Sequence, residues 1–124
     1  MLMQPIVIDE AAAPPLAPVE LPIDLDHLSR MTLGERSLER EVLALFDRQA
    51  DMLLMRMRQA PSATVAASAH TLKGSARGIG AWRVASAAEA VEQASAAELT
   101  AAIGALGVAI DEAKAAIASL LRAH

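Results

Sequence analysis

Leu99, Ile103, Leu106, Ile110, Ala113, Ile117 and Leu120 recur at alternating intervals of four and three, and no other feature of this 124-residue chain narrows its fold as far. That spacing draws a narrow apolar seam down one side of a helix. A seam of this kind is buried by left-handed packing against other helices, not by a sheet. Composition agrees: 54% of the residues are hydrophobic, yet there is one Trp, one Phe and no Tyr. The apolar content is therefore Ala, Leu, Ile, Val and Met, a mixture suited to closely packed helices. The length fits a single domain.

Residues 1–22 hold five of the six prolines, Pro5, Pro14, Pro15, Pro18 and Pro22. Each removes an amide donor and disfavours helix before it, so residues 1–23 read as an extended tail. Its Ile6-Val7-Ile8 is too short an apolar run to fold alone. The domain is expected over 24–124. Asp24 can cap a short helix over 25–32. A long helix follows from Gly34 or Glu35 to Gln59, with Leu38, Val42, Leu45, Phe46, Gln49, Leu53 and Met57 as its expected inner stripe and Pro61 beyond its end. Met52-Leu-Leu-Met-Arg-Met57 has more apolar residues than one stripe absorbs. Either the first helix thickens the core there, or a methionine-rich face meets a partner.

A third helix is expected from Pro61 or Ser62 to Gly78–Gly80, where glycine permits a left-handed end. A fourth spans 81–94 with Val84, Ala88 and Val91 inward. Ser95 can cap the fifth. Trp82 is expected to close one end of the bundle. The fold class is thus all-α: an antiparallel four-helix bundle with a short extra N-terminal helix and a Pro-rich tail.

Several classes of function are disfavoured at once. A formal charge of −4 offers no basic stripe for nucleic acid. No apolar run reaches the ~18–20 residues of a membrane span, and the start lacks a basic leader. With no cysteine there is no thiolate site, which is compatible with the cytoplasmic location expected of this chain. No Glu-x-x-His pair supports a carboxylate-bridged metal centre, since Ala67 stands three before His70. Lys73-Gly74-Ser75 is in the wrong order for a phosphate loop, and no ATP-binding element is visible.

The chemistry lies in Ser68–Gly80. On a helical wheel Val65, Ala69, Leu72, Ala76 and Ile79 form one apolar stripe. His70, Lys73, Gly74 and Arg77 project from the opposite side, near Ala66 and Ala67. One imidazole thus stands in a clearing of small side chains with an ammonium a turn away. Gly74 costs about 1 kcal/mol against alanine inside a helix, and close approach of another surface would explain it. A lone histidine is ordinarily incidental, as His27 and His124 are expected to be; the setting distinguishes His70. Ser75 lies toward the bundle and reads as a packing residue.

His70-Thr-Leu-Lys73-Gly74-Ser75, with an apolar residue before it and Gly80 ten positions on, resembles the signature of histidine phosphotransfer (HPt) domains. The resemblance covers roughly residues 24–123. It implies that His70 is phosphorylated, that Lys73 is the phosphate-side cation and that Gly74 is the clearance residue for a docking partner. Ala66 and Ala67 widen that clearing, and Arg77 either guides an acidic partner surface or is a solvated end-of-helix cation favourable to the dipole. The resemblance also implies a polar residue on the next helix that orients the imidazole. Glu92 has the matching spacing, with Glu89 and Gln93 nearby. The expected function is a soluble, freestanding phosphocarrier and not an enzyme. It would accept a phosphoryl group from a receiver-domain aspartate and pass it to another receiver in a phosphorelay fed by a hybrid histidine kinase. It would have no cofactor of its own, Mg²⁺ residing on the receiver. A monomer is expected, binding neither nucleic acid nor membrane. The competing reading is a helical interaction module working through its methionine-rich face.

Overall fold

The structure, a computed structural model, describes residues 21–123. The Ile6-Val7-Ile8 run, most of the expected tail and His124 lie outside the described residues. Five helices follow in order: α1 Leu25–Met31, α2 Arg36–Gln59, α3 Ser62–Ile79, α4 Trp82–Gln93 and α5 Leu99–Ala123. Helices α2 to α5 form an antiparallel ring in which each packs on the next and α2 closes against α5. The short α1 lies against α3. All-α architecture with four long helices and a short first one is as the periodicity predicts.

Local chemistry sets the ends. Asp24 caps α1, its Oδ1 accepting from the His27 amide at 3.1 Å. Gly80 ends α3 with φ 80°, in the left-handed region, whereas Gly78 remains helical. A Cβ on Gly80 would stand 2.9 Å from both Asp24 Cβ and the Asp24 carbonyl oxygen, so glycine is required twice over. Ahead of α5, the Glu98 carboxylate accepts from the Ser95 amide at 3.0 Å, half of a capping box. That bond, with a contribution from the Ser95 hydroxyl, holds the Glu98 carboxyl below its usual range. Helix α3 starts at Ser62, directly after Pro61, and no side chain caps that end.

The seam of α5 is buried at Leu106, Ile110, Ala113 and Ile117, with Leu99, Ile103 and Leu120 packed at its edges. The α3 stripe is buried throughout. In α2 the expected stripe is displaced. Leu43, Phe46, Ala50, Leu53, Leu54 and Met57 point inward, while Leu45 and Leu38 are exposed and Val42 and Gln49 are half-buried. The small Ala50 lets the neighbouring helices approach and so takes the place that hydrophobicity alone assigned to Leu45. Met52 and Met55 face outward, and α1 does not cover them: Leu25 and Leu28 instead border a cleft with Arg36, Leu43 and Leu120 at the other end of α2. Ile23, at the end of the expected tail, is 2% exposed and part of the core.

Polar staples fix the ring. Lys114 Nζ bridges Asp47 at 2.8 Å and Asp51 at 2.7 Å, tying α5 to α2, and these two carboxylates raise its pKa. Arg83 meets Glu112 at 3.0 Å between α4 and α5. Arg40 donates to the Leu121 carbonyl at 2.9 Å.

The corner where α3 turns into α4 is held from outside by α1. The Asp24 amide donates to the Gly80 carbonyl at 2.9 Å, and Trp82 Nε1 donates to Asp24 Oδ2 at 2.9 Å. Trp82 therefore closes one end of the bundle, as expected. His27 is not the ordinary residue that the sequence implied. Its Nε2 donates to the Arg77 carbonyl at 2.9 Å and its ring lies 4.8 Å from the Trp82 ring. The imidazole thereby adds a shorter bond to a carbonyl in the last turn of α3 that otherwise receives the Gly80 amide at 3.4 Å. The Trp82 and His27 bonds hold the Asp24 carboxyl below its ordinary value.

Candidate functional site

Burial of Val65, Ala69, Leu72, Ala76 and Ile79 fixes the rotation of α3, and that rotation turns His70 outward. Its side chain is 70% exposed. The ring is not free to swing, because His70 Nδ1 lies 2.8 Å from Glu92 Oε2 on α4. Of the three residues that could have made this contact, Glu92 makes it. Glu89 instead faces Arg77, with Oε1 3.6 Å from Nη2, and receives the Gln93 amide at 3.3 Å on Oε2.

Glu92 is the hinge of the arrangement. Its side chain is 21% exposed, and its second oxygen, Oε1, lies 2.6 Å from Lys73 Nζ. Oε1 is buried, and the Lys73 ammonium is the group that meets it there. Lys73 first, and then His70, push the Glu92 carboxyl below its usual pKa. An ionised carboxylate can only accept. The proton between Glu92 and His70 therefore belongs to Nδ1, and the Nε2 lone pair is left facing solvent.

The remaining residues of the clearing behave consistently. Ala66, Ala67 and Gly74 are exposed. A Cβ on Gly74 would meet nothing within 4 Å, so no internal contact demands glycine there. Arg77 is half exposed beside Glu89. Ser75 is half-buried, in keeping with a packing role. What sequence reasoning missed is that Lys73 is only 15% exposed and engaged with Glu92. A one-turn spacing places Lys73 next to His70 but does not reveal that both reach across to one carboxylate on another helix.

Among the described residues no group of three or more His, Asp or Glu side chains is placed to hold a metal ion. No described helix is long and apolar enough to cross a membrane.

The described residues thus form an all-helical ring that presents one oriented, largely exposed imidazole. The chain matches the family model described as Hpt domain over residues 40–123, well over half of its length, and it belongs to that family. Hpt domains carry phosphoryl groups on histidine in phosphorelays and are carriers, not catalysts. Comparison with curated proteins gives no match, nor does comparison with solved structures.

Proposed function

We propose that His70 is the residue that accepts the phosphoryl group, taking it from a receiver-domain aspartyl phosphate and returning it to another receiver. The observation that carries this reading is the 2.8 Å contact of Nδ1 with Glu92 on a ring whose side chain is 70% exposed. Nε2 attacks phosphorus, the acyl phosphate P–O bond breaks, and the aspartate leaves as carboxylate. The product is a phosphoramidate. An imidazole nitrogen needs no base to free its lone pair, which suits a site with so few parts. The ring becomes cationic as the N–P bond forms, and Glu92 is already placed to stabilise the Nδ1–H. Lys73 balances that carboxylate, so Glu92 adds no net negative charge beside an incoming phosphoryl group. Arg77, Ala66, Ala67 and Gly74 form the approach surface. The partner supplies the Mg²⁺ and the acidic pocket.

The test is transfer from a phosphorylated receiver domain with acid-labile phosphate as the readout. Wild-type protein should take up label and pass it on. A His70→Gln protein that still accepted label would remove the assignment.

A further inference from the structure

We infer that the outer face of α2 is a self-complementary surface that pairs antiparallel with α2 of a second copy of this chain. Leu38, Leu45 and Met52 are spaced by seven and stand one above another on the solvent side, 36%, 57% and 46% exposed. At 1.5 Å per residue the column runs ~21 Å. Met55, 58% exposed, widens its lower end. Leu45 and Met52, with Arg48 and Gln49, border a cleft of about 290 Å³.

Charge selects the occupant. Glu35 and Glu41 flank the upper half of the column and Arg48 and Arg56 the lower, all four exposed. None of them pairs with another charged side chain among the described residues. The helix dipole favours acids in the first turn and bases in the last, but the effect has faded at Glu41 and Arg48. A two-fold axis through Leu45 seats Leu38 on Met52 of the second copy. The same operation brings Arg48 to Glu41 and Arg56 to Glu35, each pair occurring twice because the contact is isologous. A parallel copy would set like charge on like. The chain's own Asp9-Glu10 segment could answer only the arginine half of the face. One helix face offers roughly ten residues per partner, against the ~20–30 of a standard interface, so the pair is weak and reversible. His70 leans toward α4 through Glu92, on the flank of α3 away from α2, and remains open. This departs from the monomer that the sequence suggests.

Sedimentation velocity of the full chain from ~10 to ~500 µM is the test, that range being matched to so small an interface. Wild-type protein should move toward dimer mass with concentration. Leu45→Glu, Arg48→Glu and Glu41→Arg should each remain monomeric with unchanged helical circular dichroism. Mixing the two charge-reversed proteins should restore dimer, since one copy then carries acids at both positions, the other arginines at both, and every cross-contact joins opposite charges. A wild-type monomer at ~500 µM, a dimer indifferent to Leu45→Glu, or a mixture that stays monomeric overturns the proposal. So does a wild type that dimerises only after deletion of residues 1–20, which would assign the face to that segment. Transfer by Leu45→Glu should equal wild type, which separates this claim from the role of His70.

Discussion

The molecule holds two histidines whose surroundings are built from similar parts and do opposite things. Each sits beside a carboxylate with a depressed pKa, and each is tied to α3 or its end. His27 commits Nε2 to the Arg77 carbonyl and lays its ring on Trp82, so the nitrogen that could reach out is occupied. His70 commits Nδ1 to Glu92, and Nε2 is left over on a largely exposed ring. The lesson is that a histidine's availability for chemistry depends on which nitrogen the fold consumes, more than on burial or on a nearby acid. The first site holds the corner between α3 and α4. The second depends on that corner, because Glu92 reaches His70 only if α4 keeps its place along α3.

The sharpest way to break the contrast is to remove each ring. His70→Gln should abolish phosphoryl uptake with little change in melting temperature. His27→Ala should leave uptake intact but lose roughly 1–3 kcal/mol of stability, one hydrogen bond and one ring contact. Thermal melts and label transfer on both proteins check this. Loss of uptake in His27→Ala at a temperature where it remains folded would erase the distinction.

Gly74→Gln separates docking from folding. The new side chain enters open space, and removing a mid-helix glycine should maintain or raise stability by up to ~1 kcal/mol. Transfer should fall at least ~10²-fold, as misplacement of reacting groups does. Equal rates in the variant and the wild type would show that the clearing does not meet the partner.

Glu92→Gln is expected to act more mildly, lowering transfer about tenfold, the low end of the loss seen when a histidine-orienting carboxylate is removed at metal sites. It also has a pH signature. The Glu92 carboxyl is depressed below 4.5 and that of Asp24 below 3.8. Each therefore contributes stability that is present above its unfolded value and is lost as pH falls through the lower folded value. Acid unfolding should be shallower in Glu92→Gln and in Asp24→Asn, but only the first should slow transfer at neutral pH. Lys114, raised above 10.5, works in the opposite direction, its contribution fading as pH rises through the folded value.

Legibility in the sequence followed how local each signal was. The α5 seam and the α3 stripe were readable because a single helix carries the whole pattern, and His70 followed from the stripe as the residue on its far side. The partner of its Nδ1 was narrowed to Glu89, Glu92 and Gln93, and only the approach of α4 decides among them. In α2 two faces are apolar, one through Leu43, Ala50 and Met57 and the other through Leu38, Leu45 and Met52. Periodicity does not say which of them the neighbouring helices cover. The roles of Asp24 and His27 at the far corner were unreadable beyond the α1 cap, because their partners Gly80, Trp82 and Arg77 lie far along the chain.

The link between α1 and α2 gives the smallest effect and sharpens the claim that the corner, and not the linker, holds α1. Leu33 has φ 56°, in the left-handed region, and its side chain is 88% exposed. A non-glycine residue there is disfavoured by roughly 1–2 kcal/mol, and nothing packs on Leu33 to offset it. Leu33→Gly removes that strain, and the added freedom of the unfolded chain returns part of the gain, about 0.5–1 kcal/mol. A net rise of at most ~1.5 kcal/mol follows, visible as a small increase in melting temperature. Transfer should not change, since α1 is positioned by Asp24, His27 and Trp82. A lower melting temperature, or slower transfer, in Leu33→Gly would mean that the strained linker helps to set the register of α1 on α3.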